Sequence, residues 1–350
     1  MAGRSNPGAG EAGRGDQRLH PQRVLPAELN TSEASIVIPT MNAGPIFDEV
    51  LGRLFSQETD FDYEVVILDS GSTDDTREIA HRHGAVVHAI NPGEFDHGAT
   101  RDLGASLSRG EYVAFTVQDA LPLDGRWLAA MVEDLRRDER VAGVYGRQLP
   151  RPQSSPLTRV LVNSRTTASL ERREQSVEHP DEYPKLPPAE RWRLAGFDNV
   201  SSCLRRSVWE ELPFGRTRFG EDLRWGKRAV EVGHKIVYEP RSAVLHSHER
   251  GAVYDLRRHY INQRVLLDLF GLELVPNLAA LLLNVLRSAA YLYLRLLREE
   301  KEGLLRAVPL ALVHALSSQI GTYVGAKSRR LAATRPRLSG WLDRFFGKGI

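Results

Sequence analysis

Short β-branched and aromatic runs alternate with helical patterns through the first half of the chain. Ser35 to Pro39 (SIVIP) is a strand signal closed by proline, and Pro45 to Phe55 follows with Ile46, Val50, Leu51, Leu54 and Phe55 on one helical face. The unit then repeats. Tyr63 to Leu68 (YEVVIL) ends in Asp69, and Ser72, Thr73 or Asp74 can cap the next helix. Ala85 to Ile90 is a third strand, His97 to Ser108 a third helix, and Tyr112 to Val117 a fourth strand stopped by polar residues. Strands alternating with helices of this length predict an α/β, doubly wound, mostly parallel sheet of Rossmann-like type.

A helix over Asp124 to Arg137 and a strand over Val141 to Tyr145 extend this core. The pattern then breaks. Leu149 to Pro188 is rich in proline (Pro150, Pro152, Pro156, Pro184, Pro187, Pro188) and charge, which predicts an excursion over a substrate with one helix near Leu157 to Leu170. Asn199 to Leu204 resumes a strand, Ser207 to Glu211 and Glu221 to Val232 read as helices, and Lys235 to Tyr238 and Ala243 to His246 as two closing strands.

Beyond residue 250 the chain turns leucine-rich. Asp268, Glu273 and Arg287 interrupt Leu266 to Leu297, and Arg306, Pro309 and His314 interrupt Leu304 to Val324. No uninterrupted apolar run reaches the roughly 18–20 residues of a spanning helix, so these segments are expected not to span. Two readings stay open for them. Lys327, Arg329 and Arg330 beside apolar helices suit an anionic membrane surface, and a pair packed on the α/β domain or in a homo-oligomer interface accounts for the pattern equally well. Three regions result: a disordered, Gly/Pro/Arg-rich tail over residues 1–30, an α/β domain over 31–250 and a helical C-terminal region over 251–350.

Composition narrows the function. A net charge of +2 is too balanced for a nucleic-acid binder, and no basic block or aromatic-rich basic motif argues otherwise. The single cysteine, Cys203, excludes an intrachain disulfide and a cysteine-built zinc site. With no apolar signal-peptide core at the N-terminus, the expected location is cytoplasmic, peripheral at the inner face of the plasma membrane if the C-terminal helices bind lipid.

GxGxxG, GxxxxGK[ST] and GxSxG are all absent, so dinucleotide, P-loop and serine-hydrolase readings lack their defining parts. What stands at successive strand ends is Thr40 and Asn42, then Asp69, then Gln118 and Asp119. Ligands of open α/β sheets bind outside the carboxyl ends of the strands. One carboxylate there can accept from the imide N–H of a pyrimidine, and another can hold a divalent cation against a diphosphate, which are the needs of a nucleotide-sugar site. Each residue alone reads more simply, Asp119 as a helix cap and Glu221 with Asp222 as acids complementing a helix dipole.

Five stretches in order make a stronger statement. IVIPTMN, VVILDSGSTDDT, FDHGATRDLG, FTVQDALP and FGEDLRWGKRAVEVGHKI resemble the inverting family-two glycosyltransferases of GT-A fold, over about Ser35 to His248, and the FDHG and QDA variants resemble their rhamnosyltransferase branch. The resemblance implies a Mg2+ or Mn2+ cofactor and an L-rhamnose donor, dTDP-rhamnose, with a UDP-sugar as the alternative donor and a glycan or lipid-linked acceptor. It places the base-contacting acid on Asp69, the last acid of the metal motif on Asp119, with Val117 where the first acid would stand, and the acceptor-activating base in the Glu221–Asp222 pair, Asp222 preferred. Gln118 falls at the middle of that motif. Arg101 becomes a phosphate contact, although Asp102 departs from the Arg-Asn usual there. His246 and His248, two apart on a strand, face one side, and either can complete the metal site; the resemblance favours His248. The missing acid at Val117 also leaves open a non-catalytic nucleotide-sugar-binding subunit.

Overall fold

The computed structural model describes residues 32–299 and 304–347, so the expectation for the N-terminal tail lies outside the described residues. The wound half comprises β1 (Ala34–Thr40), α1 (Ile46–Leu54), β2 (Tyr63–Asp69), α2 (Thr76–Arg82), β3 (Val86–Ala89), α3 (His97–Leu107) and β4 (Tyr112–Thr116). There follow β5 (Leu121–Pro122), α4 (Trp127–Arg137), β6 (Val141–Leu149), α5 (Pro156–Asn163), β7 (Arg173–Gln175), α6 (Pro188–Leu194), β8 (Ser201–Arg205), α7 (Arg206–Glu211), α8 (Glu221–Glu231) and β9 (Lys235–Leu245).

The nine strands among the described residues form one sheet in the order β3-β2-β1-β4-β8-β6-β9-β5, with β7 on β9. Six of them, β1 to β4, β6 and β9, run in one direction, while β8, β5 and β7 oppose them. The sheet is therefore mixed and mostly parallel, as the βα alternation predicts. The alternation of β1 shows why it is wound on both faces. Ile36 and Ile38 enter the core under α1, α2 and α4, whereas Val37 enters the opposite core under α3 and α8. Trp127 and Trp225, fully buried, anchor one core each.

Three expectations change. The two closing strands are one, β9, whose pairing with β6 shifts register between Gly146 and Arg147 so that the Pro240 region bulges out of the ladder. The excursion carries a shorter helix than expected, α5, and returns through β7 to pair with β9, so it is a structured part of the sheet edge. The leucine-rich segment from Leu266 is broken: α9 (Ala252–Phe270) ends on Gly271 in the left-handed region (φ +70°), and α10 (Leu278–Glu299) begins after Pro276.

Two more helices follow among the described residues, α11 (Leu304–Thr334) and α12 (Pro336–Phe346). α11 lies against α9 at backbone contact. A Cβ at Gly321 or Gly325 would stand 2.2 Å from the Leu256 carbonyl and 2.6 Å from that of Tyr260, so only glycine permits the approach. α10 and residues 307–329 of α11 are each long and apolar enough to cross a membrane by length and composition, a result the count of uninterrupted apolar residues did not anticipate. Among the side chains facing outward on α10, Leu282 and Leu286 are 67% and 69% exposed.

Candidate active site

The strand ends at the carboxyl edge are tied into one rim by side chains. Asn42, held in the left-handed region (φ 48°), accepts from the Thr73 N–H at 2.8 Å, and its own N–H donates to Ser72 Oγ at 2.9 Å. Ala43 and Gly44 donate to Thr76 Oγ1 and Asp74 Oδ2. The loop after β1 is thus clasped by the DSGSTDDT loop after β2. On the other side Gln118 accepts from the Met41 N–H at 2.8 Å and donates to the Met41 carbonyl at 3.2 Å, locking β4's end to β1's. A cleft opens beside this rim, lined by Pro39, Met41, Ser70, Phe95, His97, Arg101, Val117 and Gln118. Thr40 Oγ1 and Ser70 Oγ are buried without a partner.

Asp69 lies differently from the sequence expectation of a ligand contact. Its carboxylate is fully covered, and it accepts from the N–H groups of Gly71 at 3.2 Å and Ser72 at 3.1 Å, shaping the turn that carries Ser70 to the cleft. Arg101 is also engaged within the protein. It is almost fully buried, pairs with Glu221 at 2.9 Å and donates to the His97 carbonyl, so it reaches the cleft wall as half of an ion pair. Asp102 accepts from Trp209 Nε1 and from the Phe214 and Gly215 N–H groups, which gives it a structural role. The glycine of FDHG is equally constrained, because a Cβ at Gly98 would fall 2.0 Å from the Gly215 carbonyl. Asp96 caps α3 through the Ala99 N–H and also accepts from Thr217 at 2.7 Å, fixing the α3 N-terminus to the loop that leads into α8.

Asp119, His246 and His248 converge. Their ligating atoms all lie within 4.8 Å of one another. His246 Nε2 is 3.7 Å from Asp119 Oδ1, His248 Nε2 is 3.5 Å from Asp119 Oδ2, and the two Nε2 atoms are 3.0 Å apart. The orientation of His246 follows from a chain behind it. Gln148 Nε2 donates to Asp198 at 2.7 Å, which turns the Gln148 oxygen toward His246 Nδ1 at 3.4 Å. Nδ1 then carries the proton, and Nε2 turns its lone pair into the space it shares with His248 Nε2 and the Asp119 carboxylate. Burial holds the His246 imidazole well below its ordinary pKa and lowers that of His248, so both rings are neutral donors at pH 7. Arg151 donates to the Asp119 carbonyl and stands 3.9 Å from its carboxylate. One carboxylate and two neutral imidazoles that leave further positions open are a donor set suited to a divalent transition ion such as Mn2+, while Mg2+ prefers an all-oxygen shell.

Glu221 and Asp222 start α8 but differ in circumstance. Glu221 is consumed by Arg101, with Asn199 Nδ2 at 3.3 Å from the same oxygen. Asp222 has no cationic partner among the described residues; its hydrogen bond is the one it accepts from the Leu223 N–H at 2.7 Å. Burial, then the charges of Glu221 and Asp198, push its carboxyl up to about 8. A carboxylate with so high a proton affinity, unpaired at a helix start, is built to take up a proton.

The sequence profile described as glycosyl transferase family 2 matches residues 35–191. The chain is 29% identical over 233 residues to the O-antigen chain rhamnosyltransferase WbaN of Salmonella anatum, covering 65% of this chain and 70% of that one. Residues 35–191 carry a glycosyltransferase family-two domain. It falls on the rhamnosyltransferase-like branch, since the O-antigen chain rhamnosyltransferase RfbN of Salmonella typhimurium is also 28% identical, with the same coverage of 65% and 70%. Among solved structures, the mannosyltransferase PcManGT from Pyrobaculum calidifontis, in complex with GDP-Man and Mn2+, is 19% identical with a TM-score of 0.48, covering 94% of this chain and 88% of that one.

In this glycosyltransferase, then, the structure gathers Asp119 with both histidines, sets Gln118, Thr40 and Asn42 at the rim and pairs Arg101 with Glu221. Three residues escaped sequence reasoning. Gln148, Asp198 and Arg151 orient the cluster from β6, the segment before β8 and the excursion, and no local pattern marks them.

Proposed function

We propose that this family-two enzyme transfers L-rhamnose from dTDP-rhamnose, with inversion, to a glycan or lipid-linked acceptor in cell-surface polysaccharide synthesis. The observation that carries the mechanism is the division of the carboxylates: Asp119 sits with two neutral imidazoles, while Asp222 stands unpaired on another element. In the reaction the acceptor oxygen bonds to the anomeric carbon as the bond to the donor's diphosphate breaks, and Asp222 receives the acceptor's proton. Asp119, His246 and His248 would hold Mn2+ or Mg2+, which when bound supplies positive charge against the leaving diphosphate. Glu221 and Arg101 position the start of α8 and the cleft wall. The names of the Salmonella relatives support the sugar and the polysaccharide. The nearness of His246 and His248 to Asp119 speaks against the non-catalytic reading, because the pair would supply the ligands that Val117 lacks.

The outward apolar faces of α10 and α11 support a peripheral position on the cytoplasmic membrane face, where a lipid-linked acceptor would be presented. The deciding test is turnover across dTDP-, UDP- and GDP-sugars with Mn2+, with the product's anomeric configuration read by NMR. Consumption of dTDP-rhamnose to an inverted product is expected. Turnover of a UDP-sugar in its place would assign the alternative donor, and a retained configuration would overturn the role of Asp222.

A further inference from the structure

The chain leaving β9 alternates between two sets of partners. His246 and His248 turn to Asp119, while Ser247 and Glu249 turn to the start of the excursion, residues 149–158. The contacts run in step. The His246 N–H donates to the Leu149 carbonyl at 2.8 Å, Ser247 Oγ accepts from the Arg151 N–H at 3.1 Å and stands 2.7 Å from Ser154 Oγ, and Glu249 takes the N-terminus of α5. Its Oε1 accepts from the Ser155 N–H at 2.7 Å, and its Oε2 from Ser155 Oγ at 2.8 Å and Thr158 Oγ1 at 2.9 Å. Ser155 is the N-cap of α5 and Thr158 the third residue of the helix, the position from which a glutamate ordinarily reaches back to the N-cap N–H. Glu249 supplies that carboxylate from 94 residues away. The same stretch also holds the third member of the cluster, because the Arg151 guanidinium donates to the Asp119 carbonyl.

α5 is in turn anchored away from the site, where Val160 is buried with Leu292 and Leu296 of α10 and Ala307 and Ala311 of α11. It is a fixed reference to which the chain leaving β9 is pinned. The two histidines depend on that pinning unequally. Gln148 orients the His246 ring from behind, but among the described residues no hydrogen bond does so for His248, whose ring meets His246 edge to face, 4.7 Å between centroids, and Asp119. A metal-ligating imidazole is ordinarily fixed through its other nitrogen. For His248 the adjoining main chain must serve instead, and Glu249, the next residue, is where that main chain is tied down.

We propose that Glu249 is a positioning residue of this site: by capping α5 it fixes the main chain that carries His248, and so sets where the second imidazole stands relative to Asp119. The proposal rests on the reading of Asp119, His246 and His248 as a cation site, and one of its readouts is independent of that reading. A carboxylate that served only the stability of α5 would change the melting temperature and leave the ring in place.

The experiment is Mn2+ calorimetry on the full chain, with Asp119→Asn as the reference for binding at the cluster. Glu249→Ala is expected to weaken Mn2+ binding by about tenfold, the lower end of what a lost supporting contact costs a metal site. Glu249 lies at the surface, so water replaces its partners and the variant folds, which thermal unfolding without metal checks. Glu249→Gln should restore most of the affinity, because the amide oxygen still accepts from the Ser155 N–H and both hydroxyls can turn to accept from the amide N–H groups. Thr158→Val removes one of the bonds and should cost less than Glu249→Ala, and the two together no more than Glu249→Ala alone, since both act through one contact. The metal-free readout is the NOE between the His246 and His248 rings, in protein with protonated histidine on a deuterated background, which should fade in Glu249→Ala and return in Glu249→Gln. Where wild type binds Mn2+ through Asp119, equal affinity in folded Glu249→Ala overturns the proposal. Wild-type Mn2+ binding no tighter than that of Asp119→Asn overturns the cation site itself, and the NOE then decides alone: its loss in folded Glu249→Ala sustains the positioning role, and its persistence ends it.

Discussion

Glu221 and Asp222 are adjacent in the chain and opposite in environment, and that difference sets what each variant does. Asp222→Asn is expected to keep nucleotide-sugar affinity and lose turnover by about 10²- to 10⁴-fold, measured by single-turnover transfer and donor calorimetry. With its carboxyl pushed up to about 8, the base is largely protonated at neutral pH, so wild-type turnover should rise with pH and level off above about 8. The stability sign follows from the same shift. The folded state holds a proton that the unfolded chain, with an ordinary aspartate pKa of 3.8, has released, so stability falls as pH rises between those values and the Asn variant falls less. Glu221→Gln acts through folding instead. It strands a buried Arg101, which costs about 3–5 kcal/mol for a pair broken on one side, and urea unfolding should show that loss. The sequence singled out both acids, but the partner that distinguishes them is 120 positions away in the chain (221 minus 101), a distance no local pattern spans.

At the scale of elements, the βα alternation made the wound half legible, because each strand and helix there announces itself by its own period. β9 did not, since Pro240 looks like a break until β6 is seen to pair on both sides of it. His246 and His248 were legible as a pair two residues apart, although β9 ends at Leu245 and both lie on the chain leaving it, whereas the residue that turns His246 lies on β6, a neighbour only in the folded sheet. The C-terminal helices carry their own expectation. Leu282→Glu with Leu286→Glu, on the outward face of α10, should abolish co-sedimentation with anionic liposomes and leave donor turnover in solution unchanged. A substitution is the better probe than removing residues past 250, because α9 packs Leu266 and Phe270 against Ala195 and receives a hydrogen bond from Arg191 at the Phe270 carbonyl. Unchanged liposome binding, or a soluble dimer dispersed by the substitutions, would assign this face to protein contact.

For the whole molecule, the cluster of Asp119 with His246 and His248 joins segments that the sheet alone brings together: the loop after β4 and the chain leaving β9, with β6 behind them. A cation bound there bridges distant parts of one compact unit, so its affinity must add to the stability of the fold. At a concentration of 100 times its Kd the added stability is about 2.7 kcal/mol, enough to raise the melting temperature by a few degrees. The two imidazole donors make the expected order Mn2+ above Mg2+, the reverse of what an all-carboxylate site would give. Asp119→Asn removes the charged ligand while both rings stay in place, and it should erase most of the Mn2+ shift in differential scanning calorimetry without lowering the metal-free melting temperature by a comparable amount. Gln148→Ala frees His246 to take the other tautomer, and a smaller Mn2+ shift than wild type is expected from it, between the two extremes. A full Mn2+ shift in Asp119→Asn would show that the ion binds elsewhere, and the role given to the histidine pair would fall with it.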